Sequence, residues 1–99
     1  MQEEQIEKRF VVKGRVQGVF FRKTFTGKLE NLGLLGGATN CKQDRGQVFC
    51  TVIGKQDKVE EFLRDIKKKG AFNNFGAEIK EIHEVSHSIE WQDHDYVAN

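Results

Sequence analysis

The stretch Lys8 to Leu32, KRFVVKGRVQGVFFRKTFTGKLENL, changes character twice, and those changes set the architecture. Lys8 to Lys13 is a short apolar run with β-branched residues, which predicts a strand. Gly14-Arg15-Val16-Gln17-Gly18 then breaks it. Beyond the break, Phe21, Phe25, Leu29 and Leu32 recur at helical spacing, and Gly33 follows as a C-terminal cap. Gly27 inside this helix costs about 1 kcal/mol relative to alanine.

Leu34 to Cys41 and Gln47 to Ile53 read as two further strands, with Asp44-Arg45-Gly46 as the turn between them and Gly54 ending the second. The clearest helix follows. Val59, Phe62, Leu63 and Ile66 occupy i, i+3, i+4 and i+7. Asp57, Glu60 and Glu61 lie early in it and Lys67, Lys68 and Lys69 late, matching the dipole at both ends, and Gly70 closes it. Residues 71–77 read as loop. From His83 to Trp91 apolar or aromatic positions alternate with Glu84, Ser86, Ser88 and Glu90, which predicts a strand with one buried face. Tyr96 and Val97 form a short last strand. The order β-α-β-β-α-β predicts an α+β, ferredoxin-like sandwich: an antiparallel sheet of four to five strands with two helices on one face.

The 99 residues allow one domain, 1–99, with 1–7 expected as a flexible tail. With 16 basic and 15 acidic side chains the net charge is +1, which excludes a general electrostatic nucleic-acid binder. No apolar run approaches the roughly 20 residues needed to cross a bilayer. The polar start, Met1-Gln2-Glu3-Glu4-Gln5, does not resemble a secretory signal, and with two cysteines the expectation is a cytoplasmic, reducing compartment and free thiols.

The chemistry concentrates in Gly14 to Arg22. Backbone N–H groups of a turn that enters a helix can converge on an anion, helped by the positive end of the helix dipole. Arg22, at that terminus, can grip a phosphate or carboxylate bidentately. The bland alternative is an ordinary strand–helix turn with surface arginines. Nucleotide binding has no motif behind it: Gly27-Lys28 is followed by leucine, and no G-x-G-x-x-G occurs.

These residues resemble the acylphosphatase family. The block G-R-V-Q-G-V-x-F-R stands unbroken as Gly14 to Arg22, with Thr24 or Thr26 meeting a nearby family threonine. A second block falls on Gly36-Gly37-Ala38-Thr39-Asn40, and a third on Gly46-Gln47-Val48 and Gly54. The likeness runs from about Lys8 to Ile89. It implies hydrolysis of the carboxyl–phosphate bond of small acyl phosphates or aspartyl-phosphate groups by a monomer. It also implies no metal, cofactor or phosphoenzyme, and no nucleic-acid or membrane partner. Inorganic phosphate would be product and competitive inhibitor. The phosphate-binding arginine falls on Arg22, the amide loop on Arg15, Val16, Gln17, Gly18 and Val19, and the water-positioning asparagine on Asn40. Gly37 and Ala38 depart from the family's larger residues, Cys41 takes a position that is often threonine, and 40–46 is about two residues long.

Rival readings remain. His83-Glu84-Val85-Ser86-His87 matches the zinc motif H-E-x-x-H, which needs a helix; on a strand the histidines lie about 13 Å apart. Cys41 and Cys50 could face one another across the hairpin, but small buried hydrophobes are the plainer reading. An RNA-recognition domain shares the element order, and Arg45-Gly46-Gln47-Val48-Phe49 keeps part of its base-stacking pattern. A phosphate binder without turnover is the remaining alternative.

Overall fold

The computed structural model describes residues 4–68 and 71–99. In chain order the elements are β1 (Gln5–Arg15), α1 (Phe21–Asn31), β2 (Leu35–Asn40), β3 (Gln47–Lys55), α2 (Gln56–Ile66), β4 (Glu78–Glu84) and β5 (Tyr96–Ala98), with a short 3-10 turn at Trp91–Asp93. They build the expected α+β sandwich. The five strands lie in the order β4-β1-β3-β2-β5 and all pair antiparallel. β1 begins at Gln5, so residues 5–7 belong to the sheet and not to a tail. Lys69 and Gly70, expected at the end of the second helix, lie outside the described residues.

Strand alternation decides which side chains meet the helices. Phe10 and Val12 of β1, Ala38 of β2 and Val48, Cys50 and Val52 of β3 share one face. Against them pack Phe21, Phe25 and Leu29 of α1 and Val59, Phe62 and Ile66 of α2, all of them buried. Phe25 joins the layers: its ring lies 6.1 Å from Phe10, 5.8 Å from Phe21 and 5.3 Å from Phe62. Truncating such a ring costs about 3–5 kcal/mol. Gly33 ends α1 at φ 71°, and the Leu34 N–H closes back on the Leu29 carbonyl.

Residues 83–91 do not form the expected strand. β4 stops at Glu84, and the chain then leaves the sheet edge and crosses the face opposite the helices. The Val85 N–H still bonds the Arg9 carbonyl, one step beyond the Phe10–Glu84 pair of the β1–β4 ladder, and the Arg9 guanidinium reaches the His87 carbonyl. His87 Nε2 lies 3.0 Å from the Cys50 carbonyl over β3. His94 reaches Thr51 of β3 and Thr39 of β2. In this strap His87 and Ile89 are half-buried while Val85 is exposed, and its backbone partners are partly side chains. This strap covers the face that an RNA-recognition domain leaves open for bases, and the Phe49 ring lies 5.6 Å from His87 beneath it.

Close approach requires glycine at several positions, Gly36 among them. Gly36 of β2 sits at φ 152°, and a Cβ there would lie 2.1 Å from the Thr51 carbonyl oxygen. Gly27, in α1, has no atom within 4 Å of its added Cβ. Gly36→Ala should therefore destabilise the domain by at least about 2 kcal/mol, whereas Gly27→Ala should stabilise it by about 0.5–1 kcal/mol. Urea unfolding of the two variants beside the parent checks both signs; equal effects would refute the distinction.

Candidate active site

Residues 15–20 join the end of β1 to the start of α1, and their shape is held from two sides. The Gln17 side chain lies within hydrogen-bonding distance of three carbonyls of the β2–β3 connection, Cys41 (3.0 Å), Asp44 (3.1 Å) and Gln47 (2.9 Å). Its two N–H donors are shared among three acceptors, which ties the loop to the neighbouring hairpin. On the other side Asn73 donates to the Val19 carbonyl (2.9 Å) and the Thr24 hydroxyl (3.0 Å). Its own Oδ1 accepts from the Phe75 and Ala77 N–H groups. Asn73 lies in a segment that reads only as loop, and no periodicity or motif marks it. Val16 is buried and anchors the loop from below, while Arg15 is exposed.

Gly18 (φ 75°) and Phe20 (φ 57°) both take left-handed backbone conformations, and Phe20 does so as the cap of α1. For a bulky residue this costs about 1–2 kcal/mol, so the surrounding contacts hold a strained turn. The first turn of α1 carries no acidic side chain and no side-chain cap. Its free N–H groups and dipole end are left available to an anion.

Arg22 stands in that first turn, partly exposed. Its guanidinium donates to Asp95 Oδ2 at 3.0 Å and lies 4.8 Å from the centre of the Tyr96 ring. With five donors, it can keep Asp95 and still offer a fork to a phosphate. Asp95 is itself placed from behind: its N–H donates to the Thr39 hydroxyl at 2.9 Å. That hydroxyl lies 2.8 Å from His94 Nδ1, and the Thr51 hydroxyl lies 2.8 Å from His94 Nε2. The imidazole occupies the space left by Gly37, where a Cβ would come within 2.6 Å of the His94 Cβ. The small residue at 37 and the histidine at 94 are thus one packing solution. The sequence offers no signal for it, because 57 positions separate the partners.

Asn40 ends β2. Its partner in β3 is Val48, which also pairs Val12 of β1, so Asn40 lies at the end of the sheet from which residues 15–20 emerge. Its Oδ1 is buried without a hydrogen-bond partner among the described residues. Leaving such an atom unsatisfied costs about 1–3 kcal/mol; His87 Nδ1, in the strap, is the other buried polar atom without a protein partner among the described residues. The expected site residues therefore gather at one end: Gln17 bonds beside Asn40, and Thr39, next to Asn40, is linked through Asp95 to Arg22.

The other candidates disperse. His83 is exposed on β4, 3.3 Å from Glu81, and His87 lies in the strap, so H-E-x-x-H is not helical. Cys50 pairs with Ala38 and Cys41 lies beyond β2; both thiols are free and buried, and burial raises that of Cys50.

The arrangement defines a class: a ferredoxin-like sandwich with a strained amide loop, a guanidinium and an unpaired amide oxygen at one end. Comparison with known proteins sharpens it. The acylphosphatase family profile matches residues 8–96. An acylphosphatase of Bacillus pumilus is 33% identical over 78 residues, covering 78% of this chain and 84% of that protein. Acylphosphatase-1 of Xenopus tropicalis is 40% identical over 70 residues, covering 71% and 69%. The crystal structure of the Bacillus subtilis acylphosphatase superposes with a TM-score of 0.66 at 26% identity, covering 88% of this chain and 90% of that one. The chain belongs to the acylphosphatase family, and its activity is the hydrolysis of acyl phosphates.

His94 titrates low, at about 4, because burial and then the neighbouring His87 disfavour its charged form; Arg9 adds to this, while Asp95 and Asp93 oppose it. Below its ordinary value of 6.5 the unfolded chain takes up a proton there that the folded chain refuses until about pH 4. Stability should fall through this window as pH drops, with His94 contributing on the order of 2 kcal/mol of the loss. Urea unfolding at pH 7 and pH 4.5 should show a smaller difference for His94→Gln than for the parent. Equal differences would remove His94 from the account.

Proposed function

We propose that this chain hydrolyses acyl phosphates by holding the phosphoryl group on the N–H groups of residues 15–19 and on the Arg22 guanidinium, with Asn40 orienting the attacking water. The observation that carries the reading is the buried, unpartnered Asn40 Oδ1 at the same end of the sheet as the amide loop and Arg22. Water attacks phosphorus opposite the acyl oxygen, the P–O bond to the acyl group breaks, and a carboxylate leaves with inorganic phosphate as the second product. A carboxylate is a good leaving group, so no strong acid is needed. The catalytic task is to align the water and stabilise charge spread over the phosphoryl oxygens. Fixed amide dipoles and one guanidinium do this with little reorganisation. The Asn40 amide is not a base; through Oδ1 it accepts a hydrogen bond from the water and fixes its direction.

Gln17 and Val16 act here as supports. Gln17 spends its amide donors on the hairpin carbonyls, and Val16 is buried, so binding falls to their backbone N–H groups. The working unit is a metal-independent monomer in the cytoplasm, with inorganic phosphate competing for the amide loop.

Hydrolysis of acetyl phosphate in excess chelator tests this directly. Turnover should persist, phosphate should inhibit competitively, and Arg22→Ala and Asn40→Ala should each lose at least about 10²-fold in kcat. Near-parental kcat in both variants would overturn the assignment of roles.

A further inference from the structure

The segment between α2 and β4 is folded around one side chain. Asn73 Oδ1 accepts from the Phe75 and Ala77 N–H groups, and the Phe72 N–H bonds the Ala77 carbonyl at 2.8 Å, so residues 72–77 form a closed turn. That closure uses only the oxygen of the Asn73 amide. Both N–H donors of the amide go to the entry of α1, one to the Val19 carbonyl at 2.9 Å and one to the Thr24 hydroxyl at 3.0 Å. The Thr24 hydroxyl in turn donates to the Phe20 carbonyl at 2.9 Å, which also receives the Thr24 N–H at 3.0 Å. Every donor of this network meets an acceptor, and that fixes the amide: turned over, it would set NH2 against two N–H groups and oxygen against a carbonyl.

We propose that Asn73 and Thr24 are positioning residues for the reaction, and that they act by aiming the N–H groups of Phe20 and Phe21 at the phosphoryl group. The amide loop then extends two residues beyond Val19. The inference rests on the phosphoryl placement proposed above. No peptide bond of the described residues is cis, and in a planar trans peptide the N–H points away from the carbonyl. Holding the Val19 carbonyl on Asn73 therefore turns the Phe20 N–H to the opposite side of the chain. Holding the Phe20 carbonyl on Thr24, inside the first turn, turns the Phe21 N–H out of the helix end, next to Arg22. At a helix start such N–H groups have no intrahelical acceptor. The backbone works against this arrangement, because φ at Phe20 is 57°, where a bulky side chain is strained. Rotating the Val19–Phe20 peptide would release the strain, and it would face the phosphate with the Val19 carbonyl in place of the Phe20 N–H. Asn73 opposes that rotation through its hydrogen bond, and Phe75 of the same turn opposes it through its ring, 4.8 Å from that of Phe20. Donors held in advance where charge develops are the ones that accelerate a reaction.

The test uses inorganic phosphate as ligand and acetyl phosphate as substrate, with Asn73→Ala, Thr24→Val and Thr24→Ser beside the parent. Valine keeps the shape of threonine without its hydroxyl, and serine keeps the hydroxyl. In the parent, phosphate should shift the Phe20 and Phe21 amide signals in nitrogen–proton correlation spectra. Asn73→Ala should raise the inhibition constant of phosphate and lower kcat, each about tenfold. Thr24→Val should do so about threefold, while Thr24→Ser stays within about twofold. Thermal unfolding separates positioning from support: a lowered Tm with an unchanged phosphate constant would make Asn73 merely structural and overturn the assignment. Amide signals of Phe20 and Phe21 that ignore phosphate in the parent would also overturn it. Should Asn73→Ala not fold, the threonine pair decides: a loss in Thr24→Val that Thr24→Ser does not share upholds the proposal, and equal behaviour overturns it. Phosphate-dependent shifts abolished by Asn73→Ala, in a protein that does not hydrolyse acetyl phosphate, would uphold the positioning and overturn the hydrolytic reading alone.

Discussion

A five-stranded sheet with β4 at one edge and β5 at the other forces residues 85–95 to travel across its full width. That crossing organises much of what distinguishes this domain. It covers the face opposite the helices and gives Arg9 and Cys50 backbone and side-chain partners. It also brings His94 into the space above Gly37, between the two threonine hydroxyls. Because the strap must then turn into β5 beside β2, Asp95 arrives next to Arg22 and Tyr96 beneath it. The geometry of the guanidinium is therefore set by a segment more than 70 positions away in the chain.

The site is built from groups that carry little net charge. In the proposed reading a phosphoryl dianion is met by amide dipoles of a strained loop, one helix end and one guanidinium already shared with a carboxylate. The exposed Arg22–Asp95 pair is worth about 1 kcal/mol or less as a stabiliser, so its role is orientation. The loop is rigid because its polar atoms are spent on neighbours: Gln17 on three carbonyls of the hairpin, and the Val19 carbonyl on Asn73. This agrees with an overall charge of +1, since one small phosphoryl group needs no basic face.

Elements with a strong period were legible from residue types. The 3.6-residue spacing of Val59, Phe62 and Ile66 defined α2, and Phe21, Phe25 and Leu29 defined α1, with Gly33 at its end. The same holds for β2 and β3 around their Asp44–Gly46 turn. The segment 83–91 misled because alternation reports only that one side is covered. It does not report whether the backbone pairs with a strand, as at Val85 on the Arg9 carbonyl, or with a side chain, as at the His87 carbonyl on the Arg9 guanidinium. Residues 5–7 were missed for the opposite reason: Gln5, Ile6 and Glu7 carry no strand signal of their own and are held by pairing with Lys55, Gly54 and Ile53.

The sequence alone determined the element order, the apolar faces of both helices and the compact block Gly14 to Arg22, because each depends on residues close together in the chain. Tertiary structure alone decided that Asn40 shares an end of the sheet with that block, through the common partner Val48. It alone decided that His94 answers Gly37 and that Asn73 braces Val19. These are relations between residues far apart in sequence, set by strand register and by the path of the crossing strap. No local periodicity encodes such distances.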